Sequence, residues 1–149
     1  MDRDGVSTGV YMEPDYSKYA RMDCVSGYTR LINDNEGLLD DGSKTKQKIT
    51  VMGIHTKDFG TITSLSRDLV EKHYYEYLNE LAVVEEGVLV TENFRTKLGY
   101  NIGDEITFCG KERKNITGKI VDFVPYWPGY SPTVTDLSPD GTTFTEDNY

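Results

Sequence analysis

Residues 87–108, which read GVLVTENFRTKLGYNIGDEITF, decide the fold because they join two strands through one short helix. The apolar run at residues 88–90 is typical of a strand. Thr91 follows it, and threonine caps helices by accepting a backbone hydrogen bond through its hydroxyl oxygen. Phe94 and Leu98 are four residues apart, so they share one face of the helix. We therefore expect the helix to pack inward through both side chains.

The helix predicted over residues 92–98 leads directly into a second strand. Gly99 stands where helices commonly end on a left-handed residue. Gly103 predicts a turn, and residues 105–108 then alternate polar and apolar side chains as a half-buried strand does. The geometry of this strand–helix–strand unit does not by itself indicate a function.

The composition is that of one globular domain with an acidic surface. A chain of 149 residues is long enough to bury a core. Its formal net charge of −9 repels phosphate backbones and anionic lipid headgroups, so we expect no nucleic-acid partner. No run approaches the roughly 18 apolar residues that span a bilayer, and the first residues lack the features of a signal peptide. We predict a single domain over residues 1–149.

Strand and helix patterns alternate along the rest of the chain. Strands are predicted at residues 6–12, 24–32, 48–56 and 114–124, the last with a bend at Gly118. A short helix is predicted over residues 16–22 after Pro14, and either one broken helix or two short ones over residues 58–82. Residues 33–44 are interpreted as an acidic loop joining two strands of a hairpin. The fold class predicted is α+β, with a mixed sheet and short helices packed on it.

Motifs for nucleotide binding and hydrolysis are absent from the sequence. It contains neither GxxxxGK[ST] nor GxGxxG, the glycine-rich segments that hold phosphates, and no GxSxG. Only two histidines are present, His55 and His73, and we interpret both as structural or surface residues. We expect no catalytic residue and no cofactor in this domain.

Clustered carboxylates deserve comparison with metal sites because hard cations prefer oxygen ligands. The spacing of the loop acids does not match the calcium-binding loop, so a solvated hairpin tip is the favoured interpretation. The acids of the tail form a similarly weak pattern, and we predict no metal site. The residues concerned are Asp34, Glu36, Asp40 and Asp41 in the loop, and Asp136, Asp140 and Glu146 in the tail.

The segment VPYWPGY at residues 124–130 holds Tyr126, Trp127 and Tyr130 among prolines. Aromatic side chains on a backbone restricted by prolines lose little entropy on contact, which suits a binding surface. The same side chains can instead cover the core. Both interpretations remain open, and these three residues are the candidate binding site.

Two cysteines, Cys24 and Cys109, lie far apart in sequence and form no close-spaced metal or redox pair. Their apolar neighbours Val25 and Phe108 suggest positions in or beside strands. We expect both thiols to be free and mostly buried.

Residues 87–124 resemble the extracytoplasmic core domain of FtsX-like and MacB-like ABC transporter permeases. The resemblance rests on the ordered series VLVT, a short helix ending in LGY, the turn IGD, a strand, a hairpin and a closing strand GKIVDFV. The closing strand departs from the family at Asp122, where glycine is usual and would form the bend. Upstream residues such as KITVMGIHTKDFGTI fit more weakly, so the resemblance covers most of residues 20–124.

The resemblance implies a MacB-like periplasmic core fold and a location on the extracellular side of the cell membrane in a longer parent protein. The chain would then be an excised part of a membrane permease. Its partners would be the rest of the permease, a separate cytoplasmic ATPase subunit and a peptide or lipid-linked substrate. The resemblance implies no catalytic residues here.

A second interpretation belongs to another functional class. The chain could be a small soluble α+β ligand-binding domain or a metal-dependent enzyme that uses the acidic loop and His55. Apolar segments of about 20 residues on both sides of this region would favour the permease.

Overall fold

The computed structural model describes residues 15–42, 44, 46–110 and 114–149. The strand predicted at residues 6–12 lies outside them. The helices are α1 (Ser17–Ala20), α2 (Thr56–Ile62), α3 (Tyr74–Val83) and α4 (Glu92–Thr96), with a 3₁₀ turn at Arg67–Leu69. The strands are β1 (Leu31–Leu39), β2 (Gln47–Ile54), β3 (Gly87–Thr91), β4 (Glu105–Cys109), β5 (Asn115–Val124), β6 (Thr133–Leu137) and β7 (Thr143–Asp147).

The main sheet has five strands in the order β2-β1-β4-β5-β3. β3 runs parallel to β5, and the other neighbouring strands are antiparallel. β6 and β7 form a separate antiparallel hairpin. A mixed sheet with short helices confirms the predicted α+β class.

The strand–helix–strand unit forms in the predicted order, with two corrections, at the start and at the end of the helix. Gly99 and Gly103 both have positive φ angles, of 80° and 93°, which glycine adopts without a steric penalty. Thr91 occupies the N-cap position, but its side chain makes no capping hydrogen bond. The helix also ends at Thr96, earlier than predicted, and a turn follows it.

The main core lies between this unit and the sheet. Phe94 of α4 is buried, and Leu98 packs against the same cluster from the following turn, as predicted. The other buried members come from the strands: Leu39, Ile49, Val90, Ile106, Phe108, Ile120 and Phe123. The opposite face of the sheet is also covered, because Val124 of β5 is buried with Tyr77 of α3 in a separate cluster.

The predicted acidic loop is wrong for most of its length, because residues 31–39 form β1. This strand pairs with β2 from Leu31 opposite Ile54 to Leu39 opposite Gln47, with an irregular register between Asp34 and Gly37. Its polar residues have low strand propensity, so backbone pairing with a strongly β-branched partner outweighs local preference here. A hairpin does form before α2, but only Leu31 and Ile32 of the first strand predicted for it belong to β1.

The helical region and the N-terminal part resolve into shorter pieces than predicted. Residues 58–82 contain the end of α2, the 3₁₀ turn and α3, which agrees with the alternative of two short helices. Residues 24–30 are not a strand.

No described helix is both long and apolar enough to cross a membrane.

The two cysteines are free, as predicted, but only one of them is buried. Cys109 lies inside the sheet on β4, whereas Cys24 is exposed. The prediction of burial for Cys24 is wrong because residues 24–30 do not join the sheet.

Candidate functional site

An apolar cleft separates β2 from β3, the two outer strands of the main sheet. Both strands line it, which requires the sheet to curve until its edges face each other. The cleft has a volume of about 520 Å³ and opens to solvent. Its walls include Val51 and Ile54 from β2 and Val88 and Val90 from β3. An extended apolar ligand is the kind of molecule that such a surface can accept.

The floor of the cleft is the main core, and its mouth is aromatic. Phe94 and Ile106 reach the cleft from below. Trp127, Tyr130 and Tyr149 stand at its rim. We call these three side chains the aromatic rim.

Trp127 joins the rim to a second core cluster under α3. Its ring stacks on Phe59 with centroids 6.0 Å apart and planes 8° from parallel, and it lies 5.4 Å from the ring of Tyr74. The side chain is half-buried, so one part covers the core while another faces the cleft. The structure therefore combines features of both interpretations of Trp127.

The other two candidate binding residues are placed differently. Tyr130 is half-buried, forms an isolated bridge with Trp127 and donates its hydroxyl proton to the backbone oxygen of Asn148 at 2.7 Å. Burial raises the pKa of Tyr130 above its usual value. Tyr126 is 40% exposed and lies outside the cleft lining. The structure thus brings Trp127 and Tyr130 together at the cleft and leaves Tyr126 on the adjacent surface.

Asn148 holds the end of the chain beside the cleft. Its backbone oxygen also accepts a hydrogen bond from Asn93 Nδ2 on α4 at 2.7 Å, and its own side chain donates to the Ser131 oxygen at 3.0 Å. The next residue, Tyr149, accepts a hydrogen bond from the Thr50 amide of β2 at 2.6 Å. These bonds position the tyrosine of the rim against both α4 and β2.

An ion cluster around the buried Asp122, which spacing alone could not predict, lies on the other side of the sheet. Lys72 Nζ is 2.6 Å from Asp122 Oδ2 and 2.7 Å from Glu80 Oε1. Asp122 is buried, and its Oδ1 accepts a hydrogen bond from the Phe123 amide at 2.9 Å. The hydrogen bond to Asp122, followed by that to Glu80, raises the pKa of Lys72. The ammonium therefore stays charged and fixes the segment before α3 to β5.

The residues of the metal-dependent alternative do not come together. His55 follows the last residue of β2 and lies 3.2 Å from Asp58, and both side chains are exposed. Asp40 and Asp41 lie at the opposite end of the hairpin, about 26 Å away along a strand of eight residues. Among residues 15–42, 44, 46–110 and 114–149, no group of three His, Cys, Asp or Glu side chains could hold a metal ion.

His73 and the acids of the tail have local structural roles. His73 caps α3 by accepting the Tyr75 amide proton on Nδ1 at 3.3 Å. Asp140 accepts hydrogen bonds from the amide and hydroxyl of Thr142 at 3.0 and 2.7 Å, which lower the pKa of its carboxyl group. Asp136 and Glu146 are exposed on the β6–β7 hairpin.

Comparison with known proteins returns no match to a family model, a curated protein or a solved structure.

Proposed function

We propose that the chain is the extracytoplasmic domain of an ABC transporter permease of the FtsX-like or MacB-like type. In this role the domain contacts a substrate or a protein partner outside the cell. It couples that contact mechanically to a separate cytoplasmic ATPase subunit through the membrane part of the permease. A peptide or a lipid-linked molecule is the substrate class that we favour.

One observation carries the proposal: the order and pairing of the elements between Gly87 and Val124. The sequence resemblance requires a strand, a short helix, a turn, a second strand and a closing strand in that order. The fold has these elements as β3, α4, β4 and β5, with β4 between α4 and β5 in the chain and β3 parallel to β5. This agreement supports the proposal.

The cleft gives the domain a surface suited to this role. Its walls are aliphatic, and its rim carries aromatic side chains that can contact a mobile apolar segment at low entropic cost. A binding and coupling domain needs a rigid body beneath such a surface. The core cluster of Phe59, Tyr74 and Leu78 lies directly under Trp127 and supplies that support.

Cell fractionation tests the proposal without any knowledge of the substrate. An antibody raised against residues 15–149 should detect a polypeptide longer than this chain in the membrane fraction of the source cells. Protease added outside cells stripped of their outer layers should digest the antigen, and purification in mild detergent should recover an ATPase chain with it. A soluble product of 149 residues would instead support the ligand-binding alternative.

Photo-crosslinking tests the contact surface separately. A photoreactive amino acid replaces Tyr126, which is 40% exposed, in the full-length parent protein. Tyr28, which is 44% exposed and lies outside the cleft lining, provides the matched control position. Crosslinks to another chain or to a lipid-linked molecule should form from position 126 and not from position 28. Equal crosslinking from both positions would refute a contact surface at residues 126–130.

A further inference from the structure

The cleft between β2 and β3 is long and narrow. β3 contributes all five of its residues, Gly87–Thr91, to the lining, and a strand of that length spans about 17 Å. Dividing the volume of about 520 Å³ by this length gives a mean cross-section of about 30 Å². A ligand that matches this shape is extended and one chain thick.

The cross-section fits a polymethylene chain better than a peptide strand. A strand packed in a sheet occupies roughly 48 Å², from a spacing of about 4.8 Å between strands and about 10 Å between sheets. An alkyl chain occupies roughly 16 Å², because nonbonded carbon atoms approach to about 4 Å. The backbone edge of β2 is also occupied at Thr50, whose amide donates to the Tyr149 oxygen at 2.6 Å. The cleft therefore favours an occupant that needs no backbone pairing.

The cleft offers apolar contacts along its walls and ionisable side chains at one end. Val51, Val88 and Val90 belong to the walls. Among the described residues that line the cleft, none is lysine or arginine, and only His55 and Glu86 have side chains that ionise near or below neutral pH. An anionic head group would find no cationic side chain to pair with in this lining.

His55 and Glu86 lie at the same end of the cleft. His55 follows the last residue of β2, and Glu86 precedes the first residue of β3. The two strands run in opposite directions, because three antiparallel pairs and one parallel pair link them. The Asp58 carboxylate lies 3.2 Å from His55 Nδ1. This end of the cleft therefore holds two carboxylates and one imidazole, a set that attracts a cation.

Glu86 has a backbone conformation that glutamate rarely adopts. Its φ angle is 58°, and it is the only described residue other than glycine with a positive φ. It occupies the third position of a turn that the Gly87 amide closes on the Val84 oxygen at 3.0 Å, where glycine or asparagine is usual. A costly conformation of this kind is often found at functional sites, which agrees with a role for the glutamate side chain.

We propose that the cleft binds one unbranched alkyl chain whose cationic head group lies beside Glu86. The two carboxylates and the net charge of −9 disfavour an anionic head group. An extended alkyl chain advances by about 1.3 Å per carbon, because its bonds of about 1.5 Å form a zigzag, so about 13 carbon atoms fill the cleft. The inference deepens the proposed function, since the role of this molecule as a lipid-linked substrate rests on that proposal.

Calorimetric titration of the complete chain with alkyltrimethylammonium ions, kept below their micelle concentrations, tests the chain length. Affinity should rise about fourfold with each added methylene and level off near about 13 carbon atoms. One ion should bind per protein chain, and the emission of Trp127, the only tryptophan, should change in step because Trp127 lines the cleft. An absence of binding, or a rise that continues unchanged beyond about 16 carbon atoms, overturns the inference.

Two matched pairs of variants locate the ligand. Glu86→Gln should weaken binding of dodecylammonium about threefold, whereas Glu85→Gln, at the adjacent exposed position outside the lining, should not. Val88→Asp in the wall should weaken it at least tenfold, whereas Val134→Asp, at a 50% exposed position outside the lining, should not. Equal effects within either pair overturn the assignment.

The unmodified chain provides a comparison that no folding defect can affect. Dodecylammonium should bind more tightly than dodecanoate, and equal or reversed affinities overturn the choice of a cationic head group. Dimerisation that dodecylammonium reverses would assign the cleft to a second copy and overturn the inference. Binding by a chain that fractionation identifies as a soluble product would support the alkyl site and refute the permease. A membrane-bound permease whose domain binds no alkyl probe would overturn this inference alone.

Discussion

Replacing Lys72 with methionine isolates the contribution of the ion cluster around Asp122. Methionine keeps the length and apolar stem of the side chain but removes the ammonium that lies 2.6 Å from Asp122 and 2.7 Å from Glu80. Asp122 then remains as a buried carboxylate without its counter-ion. The variant therefore reports the cost of an uncompensated charge with little change in packing.

The magnitude follows from the exposure of the partners. Breaking a fully buried pair costs about 3 to 5 kcal/mol, because one charge is left in a poorly solvated place. Only the Asp122 side chain is deeply buried here, at 11% exposure, while that of Lys72 is 39% exposed. Solvent at the lysine end screens the interaction, so we expect Lys72→Met to lower the free energy of unfolding by about 2 to 3 kcal/mol.

Urea unfolding followed by Trp127 fluorescence measures this loss, because Trp127 packs beside Val70 and Tyr77 near the cluster. Asp122→Asn and the double variant complete a double-mutant cycle. The asparagine removes the stranded charge, so Lys72→Met should cost less than 1 kcal/mol in that background. Glu80→Gln, at a half-exposed position, is the control and should cost less than about 1 kcal/mol. A loss below about 0.5 kcal/mol for Lys72→Met, or additive effects in the cycle, would refute the reasoning.

Four further predictions test the core, the rim, the thiols and the tyrosines. Phe94→Ala should cost about 3 to 5 kcal/mol in urea unfolding, since the ring is buried, and a loss under 1 kcal/mol would contradict its packing. Trp127→Ala should cost about 1.5 to 3 kcal/mol because the indole is half-buried, whereas a change within 0.5 kcal/mol would identify it as a surface residue. Cys24 should react at once with a thiol reagent in the native protein and Cys109 only after denaturation; equal rates would show that both thiols are accessible. Stability should fall as pH rises above about 10, because burial raises the pKa values of several tyrosines and the unfolded chain then loses protons first. The tyrosines concerned are Tyr74, Tyr77, Tyr100 and Tyr130. Phenolate absorbance during alkaline titration should show that they ionise only as the protein unfolds. Full ionisation of a protein that is still folded would contradict the prediction.

Local chemistry explains which parts of the fold could be predicted. Gly99 and Gly103 marked the end of α4 and the following turn because a positive φ angle favours glycine almost regardless of context. Phe94 and Leu98 marked the buried face because helical spacing places them together. The polar residues of β1 led to the wrong prediction of a loop, because Asp34 and its neighbours have low strand propensity and form a strand by pairing with β2.

The candidate site could not be predicted in full, because it is formed by contacts between residues that are far apart in the sequence. Lys72 and Asp122 are 50 positions apart in the numbering and meet only when α3 packs on β5. Asp122 was visible in the sequence as a departure from the family that the chain resembles, but that departure concerned the bend of the strand and not an ion cluster. The cleft likewise results from curvature of the whole sheet. The aromatic segment was visible in the sequence, but the different positions of Trp127 and Tyr126 were not.

The bonds of Asn148 also determine how the β6–β7 hairpin responds to mechanical load. A pull on Tyr149 away from the sheet first stretches the hydrogen bond between its backbone oxygen and the Thr50 amide, and then those that Asn148 makes with Asn93 and Tyr130. Beyond them lies the open end of the hairpin, where Thr133 faces Asp147. The bonds of Tyr149 and Asn148 therefore carry such a load before it reaches the hairpin.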